Sequence, residues 1–381
     1  MFAQLALVVG AGLLGPLLAA GRRPLAPVLV GELVAGALIG RTGFGIVDAA
    51  AQPLPAFATL GFAMLMLGAG TEVDLDSPQL RGGVVRGCVA LLVALVASVP
   101  AALLVANTLH LGHVELFAVL LTGSSAAVAF PTIEERKLTG PAIALLIAWI
   151  TMADGATALL LPLTLTGPAK IPLAIAGDAL IVVLSAVIIF GGGRLAGRLP
   201  IDEARRESMQ RRWALQLRVS VLLLLVLAAI ADRSGGSLLV AGFAAGIVLR
   251  RFGEPTRLAL QLSGLADGFF VPAFFVLLGA SLNLRSLASD PRAIILALAL
   301  AVAAVVVHMV AAAVAAEQQR AASGLLASAQ LGLPAAAAAL GLSTNALSPA
   351  VAAALVAGGC LTLLPATLGA ILLGRTNQPS T

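Results

Sequence analysis

The sequence predicts an all-α polytopic membrane protein, and three observations support this fold class. Hydrophobic residues make up 60% of the 381 residues and charged residues only 11%, a composition that excludes an ordinary soluble domain. The apolar residues form long continuous runs that suit membrane-spanning helices and lack the alternation of a transmembrane barrel. Glycine and proline occur inside these runs, as membrane helices tolerate when they pack against other helices.

The apolar runs predict about thirteen transmembrane helices, separated by short polar loops. Their approximate bounds are 4–20, 25–40, 54–70, 84–107, 114–131, 140–163, 171–192, 214–231, 236–250, 268–283, 292–316, 321–341 and 348–373.

Basic residues are distributed unevenly over the predicted loops. If the N-terminus lies outside, only five of the 23 Lys and Arg residues fall in outward loops, and the other 18 face the cytoplasm. Because cytoplasmic loops are enriched in Lys and Arg, we expect a multi-pass protein of the inner (plasma) membrane with a cytoplasmic C-terminus. Orientation in lipid also explains the net charge of +5 better than a nucleic-acid partner does.

A weak internal repeat relates the two halves of the chain at an offset of 211 residues. Residues 64–69 (MLMLGA) resemble 275–280 (FVLLGA), and the same offset carries Gly31 to Gly242. The matching segments lie seven predicted spans apart, so the second copy is inverted relative to the first. Two inverted six-helix repeats are typical of secondary transporters.

These observations predict a single transmembrane domain over the whole chain. Its first repeat covers 1–163, and its second, inverted repeat covers 214–373. A linker helix and a cytoplasmic amphipathic segment occupy 164–213, where basic and acidic residues are mixed. Residues 374–381 are expected to form a short cytoplasmic tail.

Asp154 lies near the middle of the apolar run 140–163. A charged side chain at the bilayer centre costs roughly 2.5–3.5 kcal/mol on insertion scales, so it normally faces a water-filled cavity or a binding site. The sequence therefore predicts a protein that moves protons and cations, with Asp154 binding either a proton or a metal ion. A structural carboxyl, hydrogen-bonded between helices, is the alternative.

Two spans combine small polar residues with a proline, and we expect both helices to be broken at mid-membrane. An unwound stretch offers hydroxyl and carbonyl oxygens to a hard cation, and two such breaks that cross bring opposite helix-dipole ends together. Packing alone would also explain small residues in a membrane helix. The candidate ligands are Thr122, Ser124 and Ser125 in 121–131, and Ser328 and Gln330 in 326–334.

His308, Glu32 and Glu72 are further candidates. His308 lies inside the apolar run 292–316, and it acts either as a titratable partner of Asp154 or as a neutral core histidine that bonds across helices. Glu32 and Glu72 lie nearer the ends of their spans. They are either interfacial carboxylates or part of an ion funnel.

Six stretches of the chain together resemble the bacterial monovalent cation:proton antiporters, including the NapA-type sodium/proton and Kef-type potassium/proton proteins. The resemblance covers residues 10–373 and implies thirteen spans, a homodimer and a mobile core domain that carries the ion past a fixed dimerisation domain. The stretches are VLVGELVAGALIGRTGFG (28–45), MLMLGAGTEVDL (64–75), LTGSSAAVAFPTIEE (121–135), MADGATALLLP (152–162), LLVAGFAAGIVL (238–249) and GFFVPAFFVLLGASLNL (268–284).

By this resemblance, Asp154 occupies the essential second position of the family's paired acidic motif. The first position, Asp or Asn in the sodium/proton members, is Ala153 here, and His308 stands where other members carry Lys or Arg. On the second broken helix, Leu333 replaces a Glu that often follows the glycine. Because Ala153 cannot form the charged pair of those members, we expect electroneutral exchange of one proton for one cation.

The sequence thus predicts an antiporter of Na⁺ or K⁺ for H⁺ that works by elevator-type alternating access and requires no cofactor. Two other readings stay open, a carrier of a different solute and a channel or sensor subunit on the same scaffold. Enzyme chemistry is disfavoured because the chain has no HExxH or GxSxG motif and no second intramembrane Asp placed for a protease dyad.

Overall fold

The computed structural model of the chain is helical throughout the part that it describes. The described residues are 2–20, 28–71, 78–165, 169, 171–196, 211, 213–234, 237–252, 261–262 and 264–376. They contain no strand, which confirms the predicted all-α fold class. The chain divides into two compact units, each built from two separate segments.

Unit 1 comprises Met1–Asp74 and Thr166–Ser281. A π-helical turn, Ala266–Phe270, leads directly into its last helix. Its helices are α1 (Phe2–Gly12), α2 (Leu14–Ala19), α3 (Val28–Ile39), α4 (Leu54–Thr71), α9 (Ile171–Ala196), α10 (Leu215–Ser234), α11 (Leu238–Arg251) and α12 (Val271–Ser281).

Unit 2 comprises Leu75–Leu165 and Leu282–Thr381. Its helices are α5 (Pro78–Leu109), α6 (Val114–Thr122), α7 (Ala126–Glu135), α8 (Pro141–Leu165), α13 (Leu284–Ser289), α14 (Pro291–Ala315), α15 (Arg320–Ala327), α16 (Gly332–Ser343) and α17 (Pro349–Thr376).

Local sequence signals explain where several helices begin. Asp290 caps α14 by accepting a hydrogen bond from the Arg292 backbone N–H at 2.9 Å, and Pro291 fills the first position, where no N–H is needed. Ser237 caps α11 in the same way, through the backbone N–H of Leu239 at 3.1 Å. These capping residues satisfy N–H groups that the first helical turn leaves without partners.

Glycine allows two helix pairs in unit 1 to touch through their backbones. A Cβ atom added to Gly36 of α3 would collide with the Val276 carbonyl of α12, and one added to Gly246 of α11 would collide with the Leu67 carbonyl of α4. Both pairs join a helix from the first half of the chain to a helix from the second half. This pairing of helices from the two halves is consistent with the predicted repeat. The inverted relation of the two copies stays a prediction.

The core of unit 2 forms around α8. This helix packs along α5. It also contacts α6 and α7, which precede it in the chain, and α15 and α16, which follow it. Trp149 and Ile150 on α8 are fully buried. Because both α6/α7 and α15/α16 are broken helices, α8 brings its side chains to the two interruptions.

The number of membrane spans is not settled by helix length. Among the described residues, nine helical stretches are long and apolar enough to cross a membrane, and two of them, 2–19 and 320–343, each contain two consecutive helices, α1/α2 and α15/α16. The stretches 28–39 and 266–281 are shorter apolar helices. The predicted span 114–131 is divided into α6 and α7, and 236–250 corresponds to the 14-residue helix α11. The expected count of thirteen therefore stays a prediction.

The predicted linker is only partly covered by the structure. The first repeat's last helix, α8, ends at Leu165, close to the predicted boundary at 163. α9 (Ile171–Ala196) covers residues that were predicted to form the linker helix, and that role stays a prediction. Most of the amphipathic segment within 164–213 and all but the start of the 374–381 tail lie outside the described residues.

We expect substitution of Gly36 by Ala to destabilise unit 1. The new methyl group would meet the Val276 backbone, and overpacking of this kind costs about 1–3 kcal/mol. Gly68→Ala is the matched control, because a Cβ there meets nothing within 4 Å and alanine improves helix propensity. Thermal unfolding in detergent should show a lower midpoint for Gly36→Ala only, and equal midpoints would contradict the close-packing account.

Candidate cation-binding site

Two helices of unit 2 are interrupted where the sequence predicts a break. α6 ends at Thr122 and α7 begins at Ala126, and α15 ends at Ala327 while α16 begins at Gly332. Each interruption leaves backbone carbonyl and N–H groups without partners in the helical ladder. Because these groups are buried, they need hydrogen-bond partners from elsewhere.

The two interruptions bond to each other in a reciprocal way. The Ser124 hydroxyl donates to the carbonyl of Ala327 at 2.6 Å, and the Gln330 amide Nε2 donates to the carbonyl of Gly123 at 2.9 Å. Each bond satisfies a carbonyl at the end of one half-helix with a side chain from the other break. The breaks therefore cross at contact distance, and we call this contact the crossing.

Asp154 on α8 caps the helix that leaves the first break. Its Oδ2 atom accepts a hydrogen bond from the backbone N–H of Ala126 at 3.0 Å. Ala126 is the first residue of α7, where free N–H groups and the helix dipole attract negative charge. Asp154 is itself only partly buried, so an ionised carboxylate is stabilised here while it stays accessible.

The predicted hydroxyl ligands of the first break fall into different environments. Ser125 directly precedes Ala126 and is 4% exposed. Thr122 instead donates either to the Ala118 carbonyl at 2.8 Å or to the Ser98 hydroxyl at 2.9 Å. Thr122 is therefore engaged in helix packing, whereas Ser125 adjoins in sequence the N–H group that Asp154 caps.

The second break is held from α17 as well as from the first break. The backbone N–H of Gln330 donates to the Thr362 hydroxyl at 2.9 Å, and that hydroxyl donates to the Gly359 carbonyl at 2.7 Å. Ser328 bonds only within its own turn, to the Leu325 carbonyl at 2.7 Å. Gln330 thus joins three elements, while Ser328 does not reach the first break.

His308 is fully buried and bonds within its own helix. Its Nδ1 lies 2.8 Å from the Ala304 carbonyl, so Nδ1 carries the proton. The imidazole stacks on Trp149 with ring centroids 5.3 Å apart, and Nε2 has no hydrogen-bond partner among the described residues. Stacking on Trp149 links His308 to α8, and the two roles predicted for His308 stay predictions.

The residue before Asp154, where the resemblance implies a second acid, is Ala153. Ala153 is completely buried, and its carbonyl accepts a hydrogen bond from the Thr157 hydroxyl at 2.7 Å. No carboxylate therefore adjoins Asp154 at the preceding residue of α8. The site contains one acid from this helix, not two.

The model of one protein family, described as "Sodium/hydrogen exchanger, transmembrane", matches residues 8–374. The chain belongs to this family. The match covers nearly the whole chain, including both broken helices and Asp154, and it confirms the resemblance to cation:proton antiporters.

Two relatives of the exchanger family are similar in sequence to this chain. "Putative Na(+)/H(+) antiporter YjbQ" of Bacillus subtilis (strain 168) is 26% identical in an alignment 378 positions long, which covers 93% of this chain and 60% of that protein. "Probable Na(+)/H(+) antiporter 3" of Methanocaldococcus jannaschii is 24% identical in an alignment 268 positions long, which covers 68% of this chain and 66% of that protein. The chain thus spans less than two thirds of the length of either relative.

A solved structure shares the fold. The sodium proton antiporter MjNhaP1 from Methanocaldococcus jannaschii, determined at pH 8, superposes with a TM-score of 0.64 over 98% of this chain and 97% of that chain. The sequence identity is 17%, so this likeness establishes the fold alone.

The carboxylates predicted to line an ion funnel belong to unit 1. Glu32 is only 2% exposed, and its predicted role, as an interfacial carboxylate or as part of an ion funnel, stays a prediction. Glu72 lies outside the described residues. Asp178, also in unit 1, is buried and accepts a hydrogen bond from the Ser237 backbone N–H at 2.7 Å, which fixes the start of α11.

Sequence reasoning missed three residues of the candidate site. Thr157 lies one turn after Asp154, and its methyl group would lie 3.6 Å from a Cβ added to Gly123. Thr362 and Trp149 hold Gln330 and His308, respectively. The sequence did contain signals for these residues. Thr157 is a polar residue in the apolar run after Asp154, Thr362 is one in the last apolar run, and Trp149 lies inside an apolar span.

Ser124→Ala is expected to cost more stability than Ser328→Ala. Both serines are almost completely buried, but only Ser124 donates across the crossing, so its loss leaves the Ala327 carbonyl with an unmet hydrogen bond. Leaving a buried polar group unsatisfied costs about 1–3 kcal/mol, whereas Ser328 gives up a bond within its own turn. Thermal unfolding of both variants checks the order, and an equal or larger loss for Ser328→Ala would contradict it.

Proposed function

We propose that this chain exchanges a monovalent cation, Na⁺ or K⁺, for a proton across the membrane, with Asp154 as the exchange site. The observation that carries the proposal is the position of Asp154, whose carboxylate meets the first N–H of α7 beside the crossing of two broken helices. The family assignment and the printed names of the two relatives, both Na⁺/H⁺ antiporters, support the same class of substrate and favour Na⁺.

The chemistry of exchange needs one carboxylate that binds two different cations in turn. Asp154 takes up a proton on one side of the membrane and releases it on the other, where a dehydrated Na⁺ or K⁺ replaces it. Ser125, the residue before the N–H group that Asp154 caps, is proposed to add a hydroxyl oxygen to the bound cation. Hydroxyl and carboxylate oxygens are the ligands that hard cations prefer.

Coupling follows from the cost of an unbalanced charge in the membrane. An empty, ionised Asp154 retains a negative charge that is expensive to carry through a hydrophobic barrier. A bound proton or metal ion neutralises it, so the loaded forms cross and the empty form does not. This restriction converts a binding site into an exchanger, because each crossing must be accompanied by one of the two ions.

Alternating access requires the site to face each side in turn. Asp154, the crossing and α17 all belong to unit 2, so one compact unit holds every residue assigned to the site. We propose that unit 2 moves as a body and carries Asp154 with its cation in an elevator-type motion. The same packing that preserves the crossing would then be kept throughout the cycle.

Exchange is proposed to be electroneutral, one proton for one monovalent cation. Ala153 contributes no second acid, and the buried His308 ring holds one proton on Nδ1 and stacks on Trp149. Asp154 is then the one group of the site that changes charge, so one positive charge enters for each that leaves.

Asp154→Asn should reduce exchange to the level of empty vesicles, because an amide neither loses a proton nor balances a cation. Proteoliposomes with an internal pH dye, challenged with Na⁺, K⁺, Li⁺ or choline, measure this. Asp232→Asn is the matched control, since Asp232 is an exposed acid of α10, and it should exchange like the parent. Undiminished transport by Asp154→Asn would remove Asp154 from the mechanism.

Electroneutral exchange predicts proton flux without net charge movement. Vesicles on a solid-supported membrane should show no sustained current after a Na⁺ jump, while dye measurements on the same vesicles report proton flux. A current that scales with an imposed membrane potential would refute the one-to-one ratio. Absence of any cation-dependent proton flux in the parent protein would instead favour a sensor or a carrier of another solute.

A further inference from the structure

Two buried nitrogen atoms without a hydrogen-bond partner meet at one contact inside unit 2. They are Nε2 of His308 on α14 and Nε1 of Trp149 on α8, and both side chains are completely buried. Neither atom makes a hydrogen bond within the part of the chain that the structure describes. Because buried polar atoms in folded proteins are paired with protein groups or with ordered water, we expect this contact to hold a further hydrogen-bonding group.

The two nitrogen atoms have complementary chemistry. The indole Nε1 of Trp149 carries a hydrogen and acts only as a donor. Nδ1 of His308 donates to the Ala304 carbonyl at 2.8 Å, so Nε2 of the neutral imidazole has a lone pair and acts as an acceptor. One donor and one acceptor therefore lie on neighbouring rings.

The stacked arrangement prevents these two atoms from bonding to each other directly. The ring centroids of Trp149 and His308 are 5.3 Å apart, and the ring planes differ by only 24°. The indole N–H bond and the imidazole lone pair each lie in the plane of their own ring, whereas the other ring lies above that plane. Because hydrogen bonds weaken steeply below about 120°, both groups need a partner at the edge of the stack.

One water molecule matches the chemistry that this pair requires. A single bridging group must accept a hydrogen bond from Nε1 of Trp149 and donate one to Nε2 of His308. A metal cation does not accept from an N–H group, and an anion without hydrogens does not donate to a lone pair. Two hydrogen bonds of ordinary length span about 5.8 Å, which is comparable with the centroid distance of 5.3 Å. Water is therefore the partner that satisfies both atoms.

We propose that Trp149 and His308 bind one structural water molecule between α8 and α14. The water accepts from Nε1 and donates to Nε2, so it holds His308 in the tautomer with the proton on Nδ1. It also adds hydrogen bonds to a helix contact that otherwise depends on stacking. Asp154 follows five residues after Trp149 on the same helix, but the water site does not depend on whether Asp154 exchanges cations.

One protein hydroxyl could take the place of the water. Ser323 on α15 is completely buried, and its Oγ atom also has no hydrogen-bond partner among the described residues. α15 packs on α14, where a Cβ atom added to Gly324 would lie 3.0 Å from the His308 carbonyl oxygen. Because a serine hydroxyl both donates and accepts, the experiment has to distinguish Ser323 from water.

The test measures hydrogen bonding at the indole N–H of Trp149 by ultraviolet resonance Raman spectroscopy, in which one tryptophan band responds to that bond. The full chain is purified in detergent with Trp213→Phe, because the chain has two tryptophans and the exposed Trp213 would add its own signal. Indole in water and indole in alkane give the bonded and unbonded reference positions of the band.

The Trp213→Phe protein should show the Trp149 band at the bonded position. Adding His308→Phe should move the band at least halfway to the unbonded position, because phenylalanine keeps a ring beside Trp149 but lacks Nε2 and displaces the water. Met309→Leu is the matched control on α14, and it should leave the band unchanged, as should Ser323→Ala. A density map that resolves ordered waters should show one within hydrogen-bond distance of both nitrogen atoms.

An unbonded Trp149 band in the Trp213→Phe protein would overturn the proposal, and so would a bonded band that His308→Phe leaves in place. A shift caused by Ser323→Ala would overturn it as well, because the bond would then belong to the serine hydroxyl. If His308→Phe does not fold, the density map decides the question, and a map without a water beside Nε1 and Nε2 is the contradicting result. Transport is not measured, so these outcomes are independent of the proposed exchange.

Discussion

The reciprocal hydrogen bonds at the crossing are the constraint on which the candidate site depends. Breaking a helix inside a membrane leaves carbonyl groups without water to bind. Here a side chain from each break donates a hydrogen bond to a carbonyl of the other break. Ser124 donates to Ala327, and Gln330 donates to Gly123. The arrangement fixes the start of α7, and the start of α7 fixes where a carboxylate is stabilised. Asp154 occupies that point, so the geometry of two interruptions determines the position of one charge.

Charge balance explains why the residues around the crossing are so uniformly neutral. The α7 N-terminus offers partial positive charge to Asp154, and a single dipole end compensates a single carboxylate. A second acid at Ala153 would need a further counter-charge, which the proton-saturated Nδ1 of a neutral His308 does not provide. Stacking on Trp149 packs the His308 ring against α8. Ala153 and His308, the two departures from the motif that the resemblance implies, are thus consistent with each other.

Much of this was accessible from the sequence, because membrane helices leave strong signals. Long apolar runs predicted the helical fold, and small residues followed by proline predicted both breaks to within a few residues. Asp154 was evident because charge is rare at such depth. The residues that contact the second break and His308 could not be predicted from the sequence. Thr362 and Trp149 act through helix packing, which depends on tertiary contacts that a linear pattern does not contain. The burial of Glu32 was not predicted either, because distance from the end of a span does not report burial.

Asp154 and Glu32 show how local compensation separates two kinds of acid in one membrane protein. Asp154 accepts a hydrogen bond from a helix N-terminus, so its ionised form is stabilised. Glu32 has an oxygen without any such donor in the described part of the chain. Burial without a compensating donor disfavours the ionised form of a carboxylate. The proposed exchange of cations therefore suits Asp154 better than it suits Glu32.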